Sequence, residues 1–135
     1  MGRAYPRLTE RLGVAARVHF LGFRKDVAGI MRCADAFVLP ARYDPCPLVL
    51  LEALASGLPV VTAVTVGGAE LVTPECGVVL SDPNDARALA AAVERMTDGS
   101  AEAAVMGEAA RRVAESHSWA DMAAEYVALY RAVAL

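Results

Sequence analysis

Four short apolar runs alternate along this chain with segments of helical pattern, and this alternation constrains the fold more than any other feature. Runs of four to six residues favour strands over helices, and they cover Arg17–Gly22, Ala36–Leu39, Val60–Ala63 and Gly77–Leu80. Strands that alternate with helices are typical of a parallel sheet covered by helices on both faces. The sequence therefore predicts an α/β, Rossmann-like fold, with the run Ala36–Leu39 buried on both faces until Pro40 stops it.

The helices are marked by the residues that begin and end them. Asp26 is expected to cap a short helix, and Pro47 to occupy the first position of the helix LVLLEALAS, which Gly57 ends. After Asp82 the pattern is wholly helical. It predicts that the chain ends in three helices, namely Ala86–Met96 capped by Asn84 or Asp85, Ala101–Ser116, and a last one opened by the capping box of Ser118 and Asp121.

Charge and cysteine content exclude several classes of protein. A net charge of -3, from 13 basic and 16 acidic residues, argues against a nucleic-acid partner. Three scattered cysteines without a CxxC pair support neither a disulfide framework nor a zinc site. No apolar signal segment opens the chain, and Glu52 interrupts its most apolar stretch, Leu48–Val66. These features predict a soluble, cytoplasmic protein.

The first residues do not look like the start of a complete domain. A fragmentary helix, Pro6–Leu12, leads directly into the first apolar run. A doubly wound nucleotide-binding domain normally begins with a strand and a phosphate-binding loop. We therefore expect the chain to be the later part of such a domain, without its first strands.

Ligands of doubly wound sheets bind beyond the carboxyl ends of the strands. The loops that follow the predicted strands, Phe23–Lys25, Ala41–Cys46 and Val64–Gly68, should therefore share one edge. At this edge the helix LVLLEALA begins, and the free N–H groups of Leu48 and Val49 would form an anion site.

Glu52 is the only charged residue in the helix LVLLEALA, whose apolar pattern predicts burial all round. A buried carboxylate needs a partner. Either Glu52 leans toward the helix N-terminus and meets a ligand there, or it pairs with a backbone donor or with Arg42. A carboxylate beside an anion site suits a ligand that carries both phosphates and hydroxyls, such as a nucleotide sugar.

Several ordered blocks of this sequence resemble one family. The blocks RVHFLGF, ADAFVLPARYDPCPLVLLEALASGLPVV, GGAELV, GVVL and the closing HSWADMAAEYVALY are similar to the C-terminal donor-binding domain of GT-B-fold glycosyltransferases of group 1 (glycosyltransferase family 4). The central signal is a pair of acidic residues separated by seven others and followed by A-x-G-x-P-V-V.

The resemblance implies roles for particular residues. Glu52 matches the acid that holds the ribose hydroxyls, and Asp44 matches the catalytic-site acid that contacts the donor sugar. The backbone amides of Cys46, Leu48 and Val49 match those that meet the sugar and the diphosphate.

Two further loops match the family, and two features of the chain depart from it. The pair Phe23 and Arg24 matches a loop that frames the base, and Gly67 and Gly68 match a loop beside the donor cleft, although an ordinary turn explains these glycines equally well. Asp44 stands where the family usually has Glu, and a turn-forming role before a proline is its alternative. In addition, prolines at 45 and 47 remove two N–H groups where relatives often have glycine.

The implied function is that of a retaining glycosyltransferase that moves a hexose from a nucleoside-diphosphate sugar to an acceptor hydroxyl. By this resemblance residues 1–135 are a partial C-terminal nucleotide-sugar-binding domain, and catalysis needs no cofactor and no bound metal. A glycan, lipid or small-molecule acceptor would bind through an absent N-terminal domain, and the full enzyme is compatible with peripheral association with a membrane. We expect the chain alone to have little or no transferase activity.

Two alternatives remain open. One is a non-catalytic nucleotide-sugar-binding fragment or remnant that needs a partner N-terminal half. The other is a sugar-nucleotide epimerase of the same fold, which the A-x-G-x-P-V-V block makes less favoured.

Three aromatic residues and a histidine have structural interpretations. His19 would lie on the first strand, and Trp119 would anchor the core. Tyr126 and Tyr130 would share one helix face against the domain.

Part of the high apolar content would be surface that meets the absent strands and the absent domain. We therefore expect the isolated chain to be marginally stable or prone to associate.

Overall fold

The computed structural model describes residues 4–134 and contains one parallel sheet. Its strands are β1 (Phe37–Leu39), β2 (Val60–Ala63) and β3 (Gly77–Leu80), in the order β1-β2-β3. Val60 pairs with Phe37 on one side and with Gly77 on the other. The predicted α/β class and parallel sheet are confirmed.

Six α-helices occur in the described part of the chain, and the last three follow β3 without interruption, as predicted. They are α1 (Ala4–Arg11), α2 (Val27–Met31), α3 (Leu48–Ala55), α4 (Ala86–Thr97), α5 (Ala101–Glu115) and α6 (Trp119–Val133). Single 3-10 turns occur at Ala15–Arg17 and Ala69–Leu71. Between residues 4 and 134, no helix is long and apolar enough to span a membrane.

Alternate side chains of β2 point into two different apolar clusters, because successive residues of a strand face opposite sides. Val60 packs with side chains of α3 and α5, including Leu54 and Ala110. Val61 packs with Met96 of α4 on the other side. Helices therefore cover both faces of the sheet, as the alternation of apolar runs predicts.

The predicted strand Arg17–Gly22 is not a strand. A 3-10 turn ends at Arg17, and residues 18–22 are irregular and exposed. Strands need a neighbour to complete their hydrogen bonds, and no described strand lies beside this segment. His19 is consequently an exposed residue of an irregular segment.

The predicted burial of Ala36–Leu39 on both faces is also wrong. β1 is an edge strand of the described sheet, and Val38 at its centre is 39% exposed. β2, which has a strand on each side, is buried at every residue. The difference follows from position in the sheet, since β1 (FVL) is wholly apolar and yet less buried than β2 (VVTA).

Helix α6 has no buried residue, which overturns the predicted role of Trp119 as a core anchor. Trp119 is 72% exposed. Tyr126 and Tyr130 do share a helix face, with ring centroids 6.2 Å apart, but both are exposed and neither packs against the domain. Every residue of Trp119–Val133 is exposed, so the apolar side chains of this helix form surface.

Candidate functional site

The loops that follow β1 and β2 are joined by backbone hydrogen bonds at the carboxyl edge of the sheet. Asp44 N donates to Thr65 O at 3.4 Å, and Gly67 N donates to Asp44 O at 2.7 Å. Together they form a single parallel bridge between Asp44 and Val66. The predicted meeting of loops Ala41–Cys46 and Val64–Gly68 is confirmed.

Gly67 allows this contact because it has no side chain. A Cβ atom at this position would lie 1.8 Å from Pro45 O and 3.3 Å from Cys46 N. Gly68 has a φ of 82°, which a non-glycine residue adopts at a cost. Gly67 is therefore required by the close approach of the two loops. Gly68 is explained by the conformation of the turn.

The side chain of Asp44 is half-buried at this junction. Its backbone N–H and C=O both take part in the bridge, whereas its carboxylate has no hydrogen-bond partner among residues 4–134. Both carboxylate oxygens thus remain available to accept hydrogen bonds from hydroxyl donors.

Helix α3 begins at the same junction. Pro47 lies at its N-cap, so the helix begins one residue later than predicted. Leu50 N donates to Pro47 O at 3.0 Å. The N–H groups of Leu48 and Val49 precede Leu50 N, the first donor within the helix, so they have no intrahelical acceptor, and Leu48 is 56% exposed. The positive end of the helix dipole therefore faces the loops that carry Asp44, with the exposed Cys46 beside it.

Glu52 is exposed, which corrects the prediction that α3 is buried all round. It shares an exposed stripe with Leu48 and Ala55, which lie about one helical turn before it and one turn after it. The opposite stripe is buried against α5 and β2. Because Glu52 is exposed, its carboxylate does not need a protein partner. Arg42, which was its alternative partner, donates instead from Nε to Asn84 Oδ1 at 2.9 Å.

Glu52 opens onto an apolar cavity of about 370 Å³ that lies between α3 and the beginning of α6. His117 and Trp119 contribute to its wall, a position that the sequence pattern gave no means to predict. Nδ1 of His117 lies 2.8 Å from Val113 O, which fixes the orientation of the ring. The cavity gives Glu52 space for a ligand next to the N-terminal half of α3.

A larger cavity, of about 570 Å³, lies elsewhere on the molecule. Its wall includes Pro59, whose carbonyl accepts from Phe37 N at the amino ends of β1 and β2. It therefore opens at the edge opposite the Asp44 junction. Ligands of doubly wound sheets bind at the carboxyl edge, so the candidate functional site is the Asp44 junction with the start of α3.

The structure does not join Phe23 and Arg24 to this site. Phe23 is 89% exposed, and Arg24 binds Asp26 through both Nε and Nη2, at 2.9 and 2.7 Å. This pairing raises the pKa of the Arg24 guanidinium and lowers the pKa of the Asp26 carboxyl. Asp26 occupies the N-cap of α2 but makes no side-chain capping bond, because its carboxylate is turned toward Arg24. The role of this loop toward a base stays a prediction.

A parallel sheet covered on both faces, with two loops and a helix N-terminus meeting at its carboxyl edge, defines the Rossmann-like class of α/β domain. Residues 1–99 match the family model for glycosyl transferases group 1, and the chain belongs to this family. The predicted family resemblance is thereby confirmed.

Solved structures and a curated relative agree with this membership. Sucrose-phosphate synthase from Thermosynechococcus elongatus is 32% identical with a TM-score of 0.86, over 97% of this chain and 34% of that one. HepE from Anabaena, solved with UDP-glucose, is 29% identical with a TM-score of 0.76, over 84% of this chain and 32% of that one. The lipopolysaccharide glucosyltransferase WaaG of Escherichia coli K12 is 40% identical over 82 residues, 60% of this chain and 22% of that protein. The chain thus spans about a third or less of the length of these relatives.

Proposed function

We propose that this chain is the donor-binding part of a glycosyltransferase that moves a sugar from a nucleoside-diphosphate sugar to an acceptor hydroxyl. The observation that carries the proposal is the junction at the carboxyl edge, where the unpaired carboxylate of Asp44 adjoins the N-terminus of α3. The group 1 family and the UDP-glucose bound to Anabaena HepE support the same class of ligand.

The anion-binding part of the site is the start of α3. The N–H groups of Leu48 and Val49, with the helix dipole, favour the negative charge of a diphosphate. This charge grows on the leaving phosphate as the glycosidic bond breaks, so fixed amide donors stabilise the transition state more than the ground state. Prolines at 45 and 47 donate no hydrogen bond, which leaves Cys46 N as the remaining amide of this segment.

The hydroxyl-binding part consists of the two carboxylates. Asp44 would accept hydrogen bonds from the donor sugar, and Glu52 from the ribose hydroxyls, because two carboxylate oxygens match a vicinal diol. The glucosyltransferase name of the relative in Escherichia coli supports a hexose as the transferred group. Retention of configuration at the sugar carbon belongs to the same proposal.

We further propose that residues 1–135 form part of a C-terminal nucleotide-sugar-binding domain, and that the acceptor is bound by a separate N-terminal domain. The span of about a third of its relatives supports this division. A chain that binds the donor alone would show no transfer to an acceptor. Turnover of a labelled nucleotide sugar by the purified chain would contradict this division of labour.

The ribose assignment is tested by titrating UDP-glucose into the chain and into Glu52→Gln. Loss of the carboxylate removes charge-assisted hydrogen bonds and should weaken binding by about tenfold. Glu108→Gln is a matched control, since Glu108 is exposed on α5, away from the junction. A folded Glu52→Gln chain with unchanged affinity would overturn the assignment, and a wild-type chain that binds no nucleotide sugar would overturn the proposed function.

A further inference from the structure

One hydrogen bond at the carboxyl edge joins residues that follow the two outer strands of the sheet. Arg42 follows β1 and Asn84 follows β3, and Arg42 Nε donates to Asn84 Oδ1 at 2.9 Å. Since β2 lies between these strands, the bond reaches across the end of the whole described sheet. The two residues lie 42 positions apart, so this exposed bond ties together two loops that no local turn connects.

Asn84 is itself held in a fixed orientation by Asp82. Asn84 N and Nδ2 both donate to Asp82 Oδ1, at 2.8 and 2.9 Å. The backbone N–H of Asn84, more than its side chain or the charge of Arg42, lowers the pKa of the Asp82 carboxyl. With its Nδ2 bound to Asp82, Asn84 presents its only side-chain acceptor to Arg42.

Arg42 precedes Asp44 by two residues, so its position affects the loop that carries this carboxylate. The other side of the loop is held by β2, because Thr65 Oγ1 donates to Ala41 O at 2.6 Å and Gly67 N donates to Asp44 O. The Asp44 loop is thus fixed from the end of β2 and, independently, from the end of β3.

We propose that Arg42 and Asn84 are positioning residues, which hold the Asp44 carboxylate where it meets the donor sugar. This inference rests on the proposed function and adds to it a part of the site that acts without touching the ligand. A carboxylate with no internal partner is kept in place only by its backbone, so loss of the tie to Asn84 should displace it. Misplacement would affect the sugar contact and spare the diphosphate contact, which depends on α3.

The test compares the Kd of UDP with the Kd of UDP-glucose, because only the second ligand carries the sugar. For Arg42→Gln and for Asn84→Ala we expect UDP-glucose binding about three- to tenfold weaker, with UDP binding unchanged. The double variant should be no weaker than either single variant if both residues act through one bond. Arg112→Gln, an exposed arginine of α5, is the matched control and should leave both constants unchanged.

The outcomes separate this inference from the proposed function. If a variant loses affinity equally for UDP and for UDP-glucose, its role is structural and the positioning role is overturned. A fall in melting temperature with unchanged affinity for both ligands would have the same meaning. Additive losses in the double variant would also overturn it. If the wild-type chain binds neither ligand, the proposed function itself fails, before any variant is compared.

Discussion

Gly67 is the residue on which contact between the two site loops depends most directly. Substitution by alanine would place a Cβ 1.8 Å from Pro45 O, so the loops would have to separate. We expect Gly67→Ala to lower the free energy of unfolding by about 1–3 kcal/mol, as overpacking does, and to weaken nucleotide-sugar binding. Urea denaturation and titration with UDP-glucose measure the two effects.

Gly29 provides the matched control for this substitution. It lies within α2, where an added Cβ would meet nothing within 4 Å. Gly29→Ala should therefore leave binding unchanged and stabilise the helix by up to about 1 kcal/mol. Equal effects of the two substitutions on binding would contradict the loop contact as the cause.

Residue-scale predictions from the sequence succeeded for backbone features and failed for exposure. The spacing of Pro47 and Gly57 predicted the limits of α3 to within a residue, because caps are local chemistry. Burial of Glu52 was predicted from apolar neighbours and is wrong, since three residues on one stripe of the helix face solvent. Exposure depends on what packs against a helix, which its own sequence does not contain.

At the scale of elements, the capping box of α6 is the clearest agreement between sequence and structure. Asp121 N donates to Ser118 Oγ at 3.2 Å, and Ser118 N donates to the Asp121 carboxylate at 3.2 Å. The Ser118 side chain, then its backbone, and to a smaller extent His117 lower the pKa of the Asp121 carboxyl below its ordinary 3.8. The box therefore stabilises α6 fully at neutral pH.

A pH prediction follows from the sign of this shift. A carboxyl with a lowered folded-state pKa stabilises the fold above its unfolded pKa, and the contribution is lost as pH falls below 3.8 through the folded value. Helicity measured by circular dichroism should decrease in this window, and by less in Asp121→Asn, which does not titrate. Equal acid transitions in both proteins would exclude Asp121 as a contributor, since the other acidic residues are common to them.

The strands show that element prediction succeeds where an apolar run has a neighbouring strand to pair with. β2 and β3 have the limits that the sequence predicts, whereas the predicted strand RVHFLG does not form. A strand exists only with a partner, and pairing is a long-range property that a local pattern cannot specify. The same reasoning explains Trp119, whose exposure depends on where α6 lies.

At the scale of the whole molecule, the class of fold and the meeting of the loops after β1 and β2 at one edge were both predictable. Alternation of strands and helices fixed the parallel sheet, and parallel strands place their following loops at one edge. The hydrogen bond between Arg42 and Asn84 was not predictable, because it joins the loops that follow the two outer strands, β1 and β3. Large apolar side chains of α6 remain exposed, in agreement with the expected surplus of apolar surface.

Binding of a nucleotide sugar at the carboxyl edge of the sheet can be measured through the backbone amide chemical shifts of the chain. We predict that titration with UDP-glucose shifts the backbone amides of Cys46, Leu48, Val49, Gly67 and Gly68. Amides around the larger cavity at the opposite edge, such as Gly57 and Gly107, should stay unchanged. Chemical-shift changes only around that cavity, or none at saturating UDP-glucose, would contradict binding of the nucleotide sugar at the carboxyl edge.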